Sequence, residues 1–463
     1  PINTTFWSFR IMVGLAGVFV LLSLLAFLQR KKGVDMNPNL LRALIWAIPL
    51  PYFSIFFGWA VAEVGRQPWI VYNLMRTSDA VSPVPADNVA ISLVAFLVVS
   101  SALGILDIYL LSKNARKGPE IAMLETTWFI LWALLWAVYF ILDGFDLGLG
   151  TLFPFLAKNE NEKNIIYGAA GPFWDGNEVW LISAGGVTFA AFPKAYAVMF
   201  SALYAPLLLL LFGLIFRAVS FEFRNQSTHP AWRNFWDGIH FLANLVPALL
   251  LGVAFANLFM GIPIDADGVY KGTLLTLLNP YGLAGGIFFI VMFAMHGALW
   301  LSFKSQGALH TRAVATALFL WPVLGVLLVL FLALTAFYTN LYANYLAHPA
   351  LLVFPLLAVA GYIAMRTLLS AGKVLMAWAA SGLFILGVTF FGVMGMFPGM
   401  IISSLNPEWT VTAFNAASSP LTLQIMLTVA LIFVPIVLIY QAWVYRLFSH
   451  KVTEESLKED HAY

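Results

Sequence analysis

The sequence predicts an all-α membrane protein that crosses the bilayer about twelve times in helical bundles. Of its 463 residues, 61% are hydrophobic and 10% are charged, whereas soluble domains have about 45–50% and about 25%. A soluble chain of this length would form about three domains, and these charges are too few to solvate three surfaces. The apolar residues are also grouped into long runs, as membrane-spanning helices require.

Twelve runs are predicted to cross the membrane, because a bilayer core about 30 Å thick needs about 20 mostly apolar residues per helix. The run at 177–192 is short and contains Gly185 and Gly186. It is therefore predicted to be a tilted span, a re-entrant segment or a buried helix. The runs lie at 6–28, 41–62, 89–111, 127–150, 177–192, 195–217, 238–260, 282–302, 314–337, 350–366, 375–396 and 422–443.

Charge and cysteine content exclude several classes of protein. The net charge of +2 provides no basic surface for nucleic acid, and lipid is the expected partner. Since there is no cysteine, disulfides, zinc–thiolate sites, iron–sulfur clusters and covalently attached haem c are excluded. A metal would be held by His, Met or carboxylate, or within a cofactor. The start at Pro1 suggests a processed or truncated chain, and no signal peptide is expected.

Basic residues in short loops predict the cytoplasmic side, but the count produces a conflict. If 177–192 crosses, Glu125 lies outside while Lys117 lies inside, and eight extended residues reach at most about 29 Å. One explanation is two polypeptides, interrupted between Lys117 and Glu125, with Met123 starting the second. The other is that 177–192 is re-entrant. The residues placed inside are Arg30, Lys31, Lys32, Arg42, Lys113, Arg116, Lys117, Arg217, Arg224, Arg233, Lys304, Arg312, Arg366, Lys373, Arg446, Lys451 and Lys458.

Several motifs resemble the cytochrome bd-type quinol oxidases. Residues 1–122 resemble the C-terminal third of subunit I, with three spans facing the haems, and residues 123–463 resemble the whole of subunit II, with about nine spans. This resemblance supports the two-chain interpretation. The motifs are residues 6–14, Gly58-Trp59-Ala60-Val61-Ala62-Glu63-Val64-Gly65-Arg66-Gln67-Pro68-Trp69, Asp143-Gly144-Phe145-Asp146-Leu147-Gly148, Gly171-Pro172-Phe173-Trp174-Asp175-Gly176-Asn177-Glu178-Val179-Trp180 and Met396-Phe397-Pro398.

The resemblance assigns haem-binding roles to five residues of the first part. It implies that Met12 is the axial ligand to a low-spin haem b and that Glu63 ligates a high-spin haem b. Arg10 and Arg66 would neutralise haem propionates, and Trp59 would line the pocket. Without the resemblance, Met12 is a core methionine, Arg10 an interfacial arginine, and Glu63 with Arg66 a surface ion pair.

Four acidic residues of the second part are candidates for a proton path. Asp143 and Asp146 are three residues apart and so share one helix face, and carboxylates within a membrane helix usually have a function. The alternative for both is a helix-end carboxylate in water. Asp175 and Glu178 would lie toward the same cytoplasmic side. His296 lies in mid-span and is predicted to be a satisfied buried histidine or a quinone contact.

Taken with the resemblance, these residues predict a terminal oxidase of the bacterial inner membrane. Quinol would reduce the low-spin haem b, which would pass electrons to the high-spin haem b and haem d, where dioxygen is reduced to water. The haem d ligand and the quinol site would lie in the rest of subunit I, a partner, beside a small accessory subunit. The alternatives are a twelve-span, proton-coupled secondary transporter without haem and a purely structural subunit.

Overall fold

The structure, a computed structural model, describes residues 2–29, 38–47, 49–71, 73–79 and 121–453, together with isolated residues between 87 and 101. The chain divides into two compact units, Pro1–Ile105 and Leu106–Tyr463. Most of the predicted span at 89–111 lies outside the described residues, as do Lys113, Arg116 and Lys117. The predicted interruption falls on the same stretch, up to the helix that begins at Ile121.

The first unit is a pair of antiparallel helical segments followed by a short β-hairpin. Helix α1 spans Ile2–Gln29, α2 spans Pro38–Ala47 and α3 spans Leu50–Gly65. Strands β1 (Trp69–Val71) and β2 (Met75–Arg76) pair antiparallel. A Cβ added at Gly58 would lie 3.3 Å from Met12 Sδ, and one at Gly65 would lie 3.3 Å from Thr5 Cγ2. Helices α1 and α3 are therefore antiparallel, because residues later in α1 face residues earlier in α3.

The second unit is a helical bundle. Its helices are α4 (Ile121–Leu156), α5 (Glu160–Ala170), α6 (Trp174–Ala191), α7 (Pro193–Ala202), α8 (Tyr204–Phe223), α9 (Pro230–Met260), α10 (Leu274–Leu277), α11 (Pro280–Lys304), α12 (Gly307–Tyr338), α13 (Leu341–Ala347), α14 (Val353–Ser370), α15 (Val374–Gly395), α16 (Ala413–Ala416) and α17 (Pro420–Leu447). Strands β3 (Gly399–Ile401) and β4 (Val411–Thr412) form a second antiparallel pair.

Helix α11 lies at the centre of the bundle, where most of its apolar stretch is buried. It packs against α4, α9, α12 and α15. A Cβ added at Gly148 would lie 1.8 Å from the Phe293 carbonyl oxygen, so only glycine permits this approach of α4 to α11. The last glycine of the Asp143–Gly148 motif is therefore needed for helix packing.

Long helices that follow one another in the chain run in alternating directions. Trp132 on α4 bonds to Thr188 on α6 at 2.8 Å, whereas Asp146, further along α4, bonds to Asn177, earlier on α6, at 2.7 Å. This order makes α4 and α6 antiparallel. The backbone NH of Ser418 bonds to the Ala191 carbonyl at the far end of α6. Helix α6 therefore runs along α4 from one end of their contact to the other, which favours a crossing over a re-entrant segment at 177–192.

Basic residues gather at one end of this bundle, which the positive-inside rule identifies as cytoplasmic. This end follows the C-terminal ends of α4, α8, α11, α14 and α17, in agreement with the predicted orientation. Lys194 and Lys271 lie toward the other end. The basic residues at the cytoplasmic end are Lys158, Lys163, Arg224, Arg233, Lys304, Arg312, Arg366, Lys373, Arg446 and Lys451.

One predicted span needs a correction in its bounds. Among the described residues, ten helices are long and apolar enough to cross a membrane. The predicted span at 195–217 is wrong in its bounds, because the helix ends near Leu203 and the span is Tyr204–Gln226. Helix α6 is not among the ten, since its first turn is polar, and its antiparallel contacts along α4 leave its crossing a prediction. The twelfth predicted run is the one at 89–111.

Candidate functional site

A buried ion-pair cluster joins three helices of the second unit. The guanidinium of Arg217, on α8, lies 2.8 Å from Asp143 Oδ1 on α4 and 2.7 Å from Glu178 Oε2 on α6. The side chains of Arg217 and Asp143 are fully buried. The contact with Glu178 is a directed hydrogen bond, whereas the contact with Asp143 has the distance of an ion pair without that alignment. Buried charges in a membrane protein are costly unless they are paired.

A hydrogen-bonded chain leads away from the second carboxylate of the motif. Asn177 Nδ2 donates to Asp146 Oδ2 at 2.7 Å, and the Tyr445 hydroxyl donates to Asn177 Oδ1 at 2.9 Å. Gln441 Nε2 donates to the same oxygen at 3.3 Å, and Gln441 Oε1 accepts from Trp180 Nε1 at 2.9 Å. This chain connects α4, α6 and α17 through side chains that donate and accept hydrogen bonds.

The buried carboxyl groups of Asp143 and Asp146 contain oxygen atoms that accept no hydrogen bond. Asp146 Oδ1 and Asp143 Oδ2 are buried, and neither has a hydrogen-bond partner among the described residues. An unpaired buried acceptor costs free energy, and protonation of the carboxyl would relieve that cost. The site is thus suited to exchange protons.

An open cavity of about 790 Å³ lies between α4, α6 and α17 and reaches the hydrogen-bonded chain at Asn177, although Asp143, Asp146 and Glu178 are not part of its lining. Asp175 is exposed and lines the cavity, together with Asn177, Gln441 and Tyr445. The structure therefore brings Asp143, Asp146 and Glu178 together and places Asp175 apart from them, at the opening. The rest of the lining is mostly apolar.

The first unit places Met12 and Glu63 on adjacent helices at different levels. Because Met12 faces Gly58, Glu63 lies five residues further along α3, which is about 7.5 Å of axial rise. The sequence predicted that the two residues lie at similar depth, and this offset corrects that expectation. Met12 is half-buried, whereas Trp59 is exposed. The Met12 sulfur lies against α3, whereas the Glu63 carboxylate is about half-exposed.

Charged side chains flank both donors of the first unit. Arg66 pairs with Glu63, and both side chains are about half-exposed. The guanidinium carbon of Arg10 lies 3.5 Å from the centre of the Phe6 ring. A thioether and a carboxylate are suitable axial ligands for haem iron, and guanidinium groups match the carboxylates of haem propionates. The donor set therefore fits a haem in its chemistry.

His296 is a satisfied buried histidine, as the sequence predicted. Its Nδ1 lies 2.5 Å from Ser381 Oγ, and its Nε2 lies 2.9 Å from the Ile141 carbonyl oxygen. Since both ring nitrogens have partners within the bundle, neither is left for a quinone.

Comparison with known proteins identifies the family. The family model for cytochrome bd terminal oxidase subunit II matches residues 124–448, and the model for subunit I matches residues 1–119. The chain belongs to the cytochrome bd terminal oxidase family. The Escherichia coli K12 cytochrome bd-I ubiquinol oxidase subunit 2 is 34% identical over 375 residues, covering 73% of this chain and 97% of that protein. The Bacillus subtilis subunit 2 is 34% identical over 336 residues, covering 72% and 98%.

The N-terminal part matches only a portion of cytochrome bd subunit I. The Bacillus subtilis cytochrome bd ubiquinol oxidase subunit 1 is 43% identical over 123 residues, which is 26% of this chain and 26% of that protein. The bd oxidase structure from Geobacillus thermodenitrificans has the same fold, with a TM-score of 0.58 at 17% identity over 70% of this chain and 98% of that chain. The cytochrome bd family implies haem cofactors and location in the bacterial inner membrane.

Sequence reasoning missed several residues of the acidic site. Arg217 was assigned to a cytoplasmic loop, but it is buried within α8. Arg224 was also assigned to a cytoplasmic loop, but it is buried and pairs with Asp237 at 2.6 Å. A signal for Arg217 was available, because it interrupts an apolar run. Asn177 and Tyr445 gave no comparable signal, since their proximity depends on how α6 and α17 pack.

Ion pairs surround the cytoplasmic end of the site. Burial raises the pKa of Glu160, but the hydrogen bond from Lys163 and the Arg224 guanidinium lower it more, so the pKa lies below its usual value. Lys163 bridges Glu160 and Asp237, at 2.8 Å from each. These contacts, together with the pair between Arg224 and Glu160, tie α5 to the C-terminal end of α8 and to α9.

Proposed function

We propose that this chain forms part of a quinol oxidase that reduces dioxygen to water and takes its protons from the cytoplasm. Family membership supports this proposal, and the related Escherichia coli and Bacillus subtilis proteins are named ubiquinol oxidase subunits. The observation that carries it is the match of both cytochrome bd family models within one chain. The same observation favours an oxidase over the proton-coupled transporter.

The first unit would hold two haems of the enzyme. Met12 would give its thioether to a low-spin haem b, and Glu63 its carboxylate to a high-spin haem b. Arg10 and Arg66 would neutralise the propionates, and Trp59 would line the pocket. When bound, the haems supply one-electron transfer and the reduction of dioxygen. The haem d ligand and the quinol site would belong to the rest of subunit I, with a small accessory subunit as a further partner.

The second unit would take up protons at its cytoplasmic end. Asp175 lines the opening, and Glu178, Asp143 and Asp146 lie beyond it. Arg217 holds Asp143 and Glu178 close to one guanidinium, so a proton gained by one carboxyl strengthens the pair made by the other. Asn177 and Tyr445 extend the chain from Asp146 to α17. Uptake on this side, with the haem ligands toward the outer side, would generate a membrane potential.

A difference spectrum of the purified oxidase complex tests the enzyme class. Quinol added without dioxygen should produce reduced haem bands, and admission of dioxygen should remove them. A protein without haem bands, or with bands that quinol does not reduce, would contradict the proposal. Proton-driven solute uptake by such a haem-free protein would instead support the transporter.

A further inference from the structure

Lys304 is a buried lysine at the end of the central helix α11. It is 1% exposed, and among the described residues no carboxylate pairs with its ammonium group. Its Nζ instead donates to the carbonyl oxygens of Phe448 at 2.5 Å and His450 at 2.7 Å. The last carbonyls of a helix have no partner within the helix and carry partial negative charge. Lys304 thus binds the C-terminal end of α17, which Phe448 caps.

A second contact holds the segment that follows α17. The backbone NH of Val452 donates to the Lys304 carbonyl oxygen at 2.8 Å. Val452 is buried, although Lys451 beside it is exposed. One residue of α11 therefore fastens residues 448–452 with its side chain and its backbone.

The anchored helix end carries Tyr445, one turn before Phe448. The Tyr445 ring packs against Phe173 at 4.7 Å and Trp300 at 5.8 Å between ring centres. The Lys304 ammonium lies over the same two rings, at 5.6 Å from Phe173 and 6.0 Å from Trp300. The Tyr445 hydroxyl donates a hydrogen bond to Asn177. Contacts therefore continue without a gap from Lys304 through the aromatic rings and the Tyr445 hydroxyl to Asn177 and Asp146.

We propose that Lys304 is a positioning residue, which fixes the end of α17 and so holds the Tyr445 hydroxyl against Asn177 and Asp146. The proposal rests on the proton path proposed above. Helix α17 needs such an anchor because little of its surface is buried within the second unit. Without it, the end of α17 would be free to move away from α6.

The test uses the complete oxidase with Lys304→Met, Lys304→Arg, Tyr445→Phe and the double variant Lys304→Met/Tyr445→Phe. Lys194→Met, at an exposed lysine toward the opposite end, is the matched control. Limited trypsin digestion measures cleavage after Lys451, which reports release of the anchored segment. Steady-state turnover gives kcat and the KM for quinol. If Lys304→Met does not assemble, Lys304→Gln provides the same comparison, because its amide can donate to only some of these carbonyls.

We expect Lys304→Met to speed cleavage after Lys451 at least about tenfold, because it loses hydrogen bonds from a charged donor. It should lower kcat without changing KM, and Lys304→Arg should restore both readouts. The double variant should be no slower than Tyr445→Phe. Unchanged cleavage in Lys304→Met, or a double variant slowed by the product of the single effects, would overturn the proposal. Full kcat in both Asp146→Asn and Tyr445→Phe would overturn the proton path instead. The trypsin assay would still show whether Lys304 anchors the end of α17.

Discussion

At the scale of single residues, the buried acidic site depends on charges that only the tertiary structure pairs. Removing one partner of a buried ion pair costs about 3–5 kcal/mol, because the remaining charge stays buried. Arg217 has two such partners, Asp143 and Glu178, on different helices. We infer that the site combines a fixed positive charge with carboxyl groups that can change protonation.

Met12→Leu should remove the low-spin haem b signal and quinol oxidation while the high-spin haem stays. Leucine keeps the volume of the side chain, so packing should lose less than about 1.5 kcal/mol, but the sulfur ligand is lost. Reduced-minus-oxidised spectra of the purified complex measure this directly. Met376→Leu, at an exposed methionine of α15, is the control. A native low-spin spectrum in Met12→Leu would remove this residue from the ligands.

Glu63→Gln separates a haem ligand from a surface ion pair. If Glu63 only pairs with Arg66, the variant should lose at most about 1 kcal/mol of stability and keep its spectrum and turnover. We expect instead that the high-spin haem b is lost or has a raised potential, because the neutral amide is a poorer ligand and leaves ferric charge uncompensated. Potentiometric titration of the haem bands measures the change. Native haem content and native potentials in Glu63→Gln would show that Glu63 only forms an ion pair.

Asp146→Asn should slow turnover by about 10²-fold or more, as expected when a proton-transfer group is removed. The variant keeps the shape of the side chain and an oxygen that can accept from Asn177, so assembly and haem spectra should stay native. Asp267→Asn, at an exposed aspartate of the opposite end, should retain full activity. Oxygen consumption with quinol measures the rate, and wild-type turnover in Asp146→Asn would exclude this residue from the path.

At the scale of elements, α6 determines the topology of the second unit. Its sequence is ambiguous because the first turn is polar and Gly185 and Gly186 follow. In the structure it packs along α4 from Asn177 to Thr188. If α6 crosses the membrane, the predicted conflict between Lys117 inside and Glu125 outside remains, and it favours two polypeptides.

Cysteine labelling can test this crossing, since the chain contains no cysteine. In Lys194→Cys, just after α6, a membrane-impermeant maleimide added to intact cells should react. In Lys158→Cys, before α5, it should react only after the membrane is opened. Both positions are exposed in the second unit, so reactivity reports the side of the membrane. Labelling of both variants from the same side would show that α6 does not cross.

At the scale of the whole molecule, apolar runs and basic loops predicted the helices and their orientation, because lipid imposes both on the sequence. The motifs predicted Asp143, Asp146, Asp175 and Glu178 as one proton path, and the structure brings all but Asp175 together. The pairing of Arg217 and the chain through Asn177 and Tyr445 were not predictable, because they depend on contacts between residues far apart in sequence. The helix break near Leu203 was not predictable either, because most of the residues that flank it are apolar.

The central claim is that protons for dioxygen reduction enter at the cytoplasmic end of the second unit. Its most direct test is the potential across vesicles that contain the oriented oxidase, followed with a voltage-sensitive dye during quinol oxidation. We expect the compartment that faces the cytoplasmic end of the second unit to become negative and alkaline. Asp146→Asn should abolish this potential at matched haem content. Turnover without a potential, or proton uptake from the opposite compartment, would contradict the account.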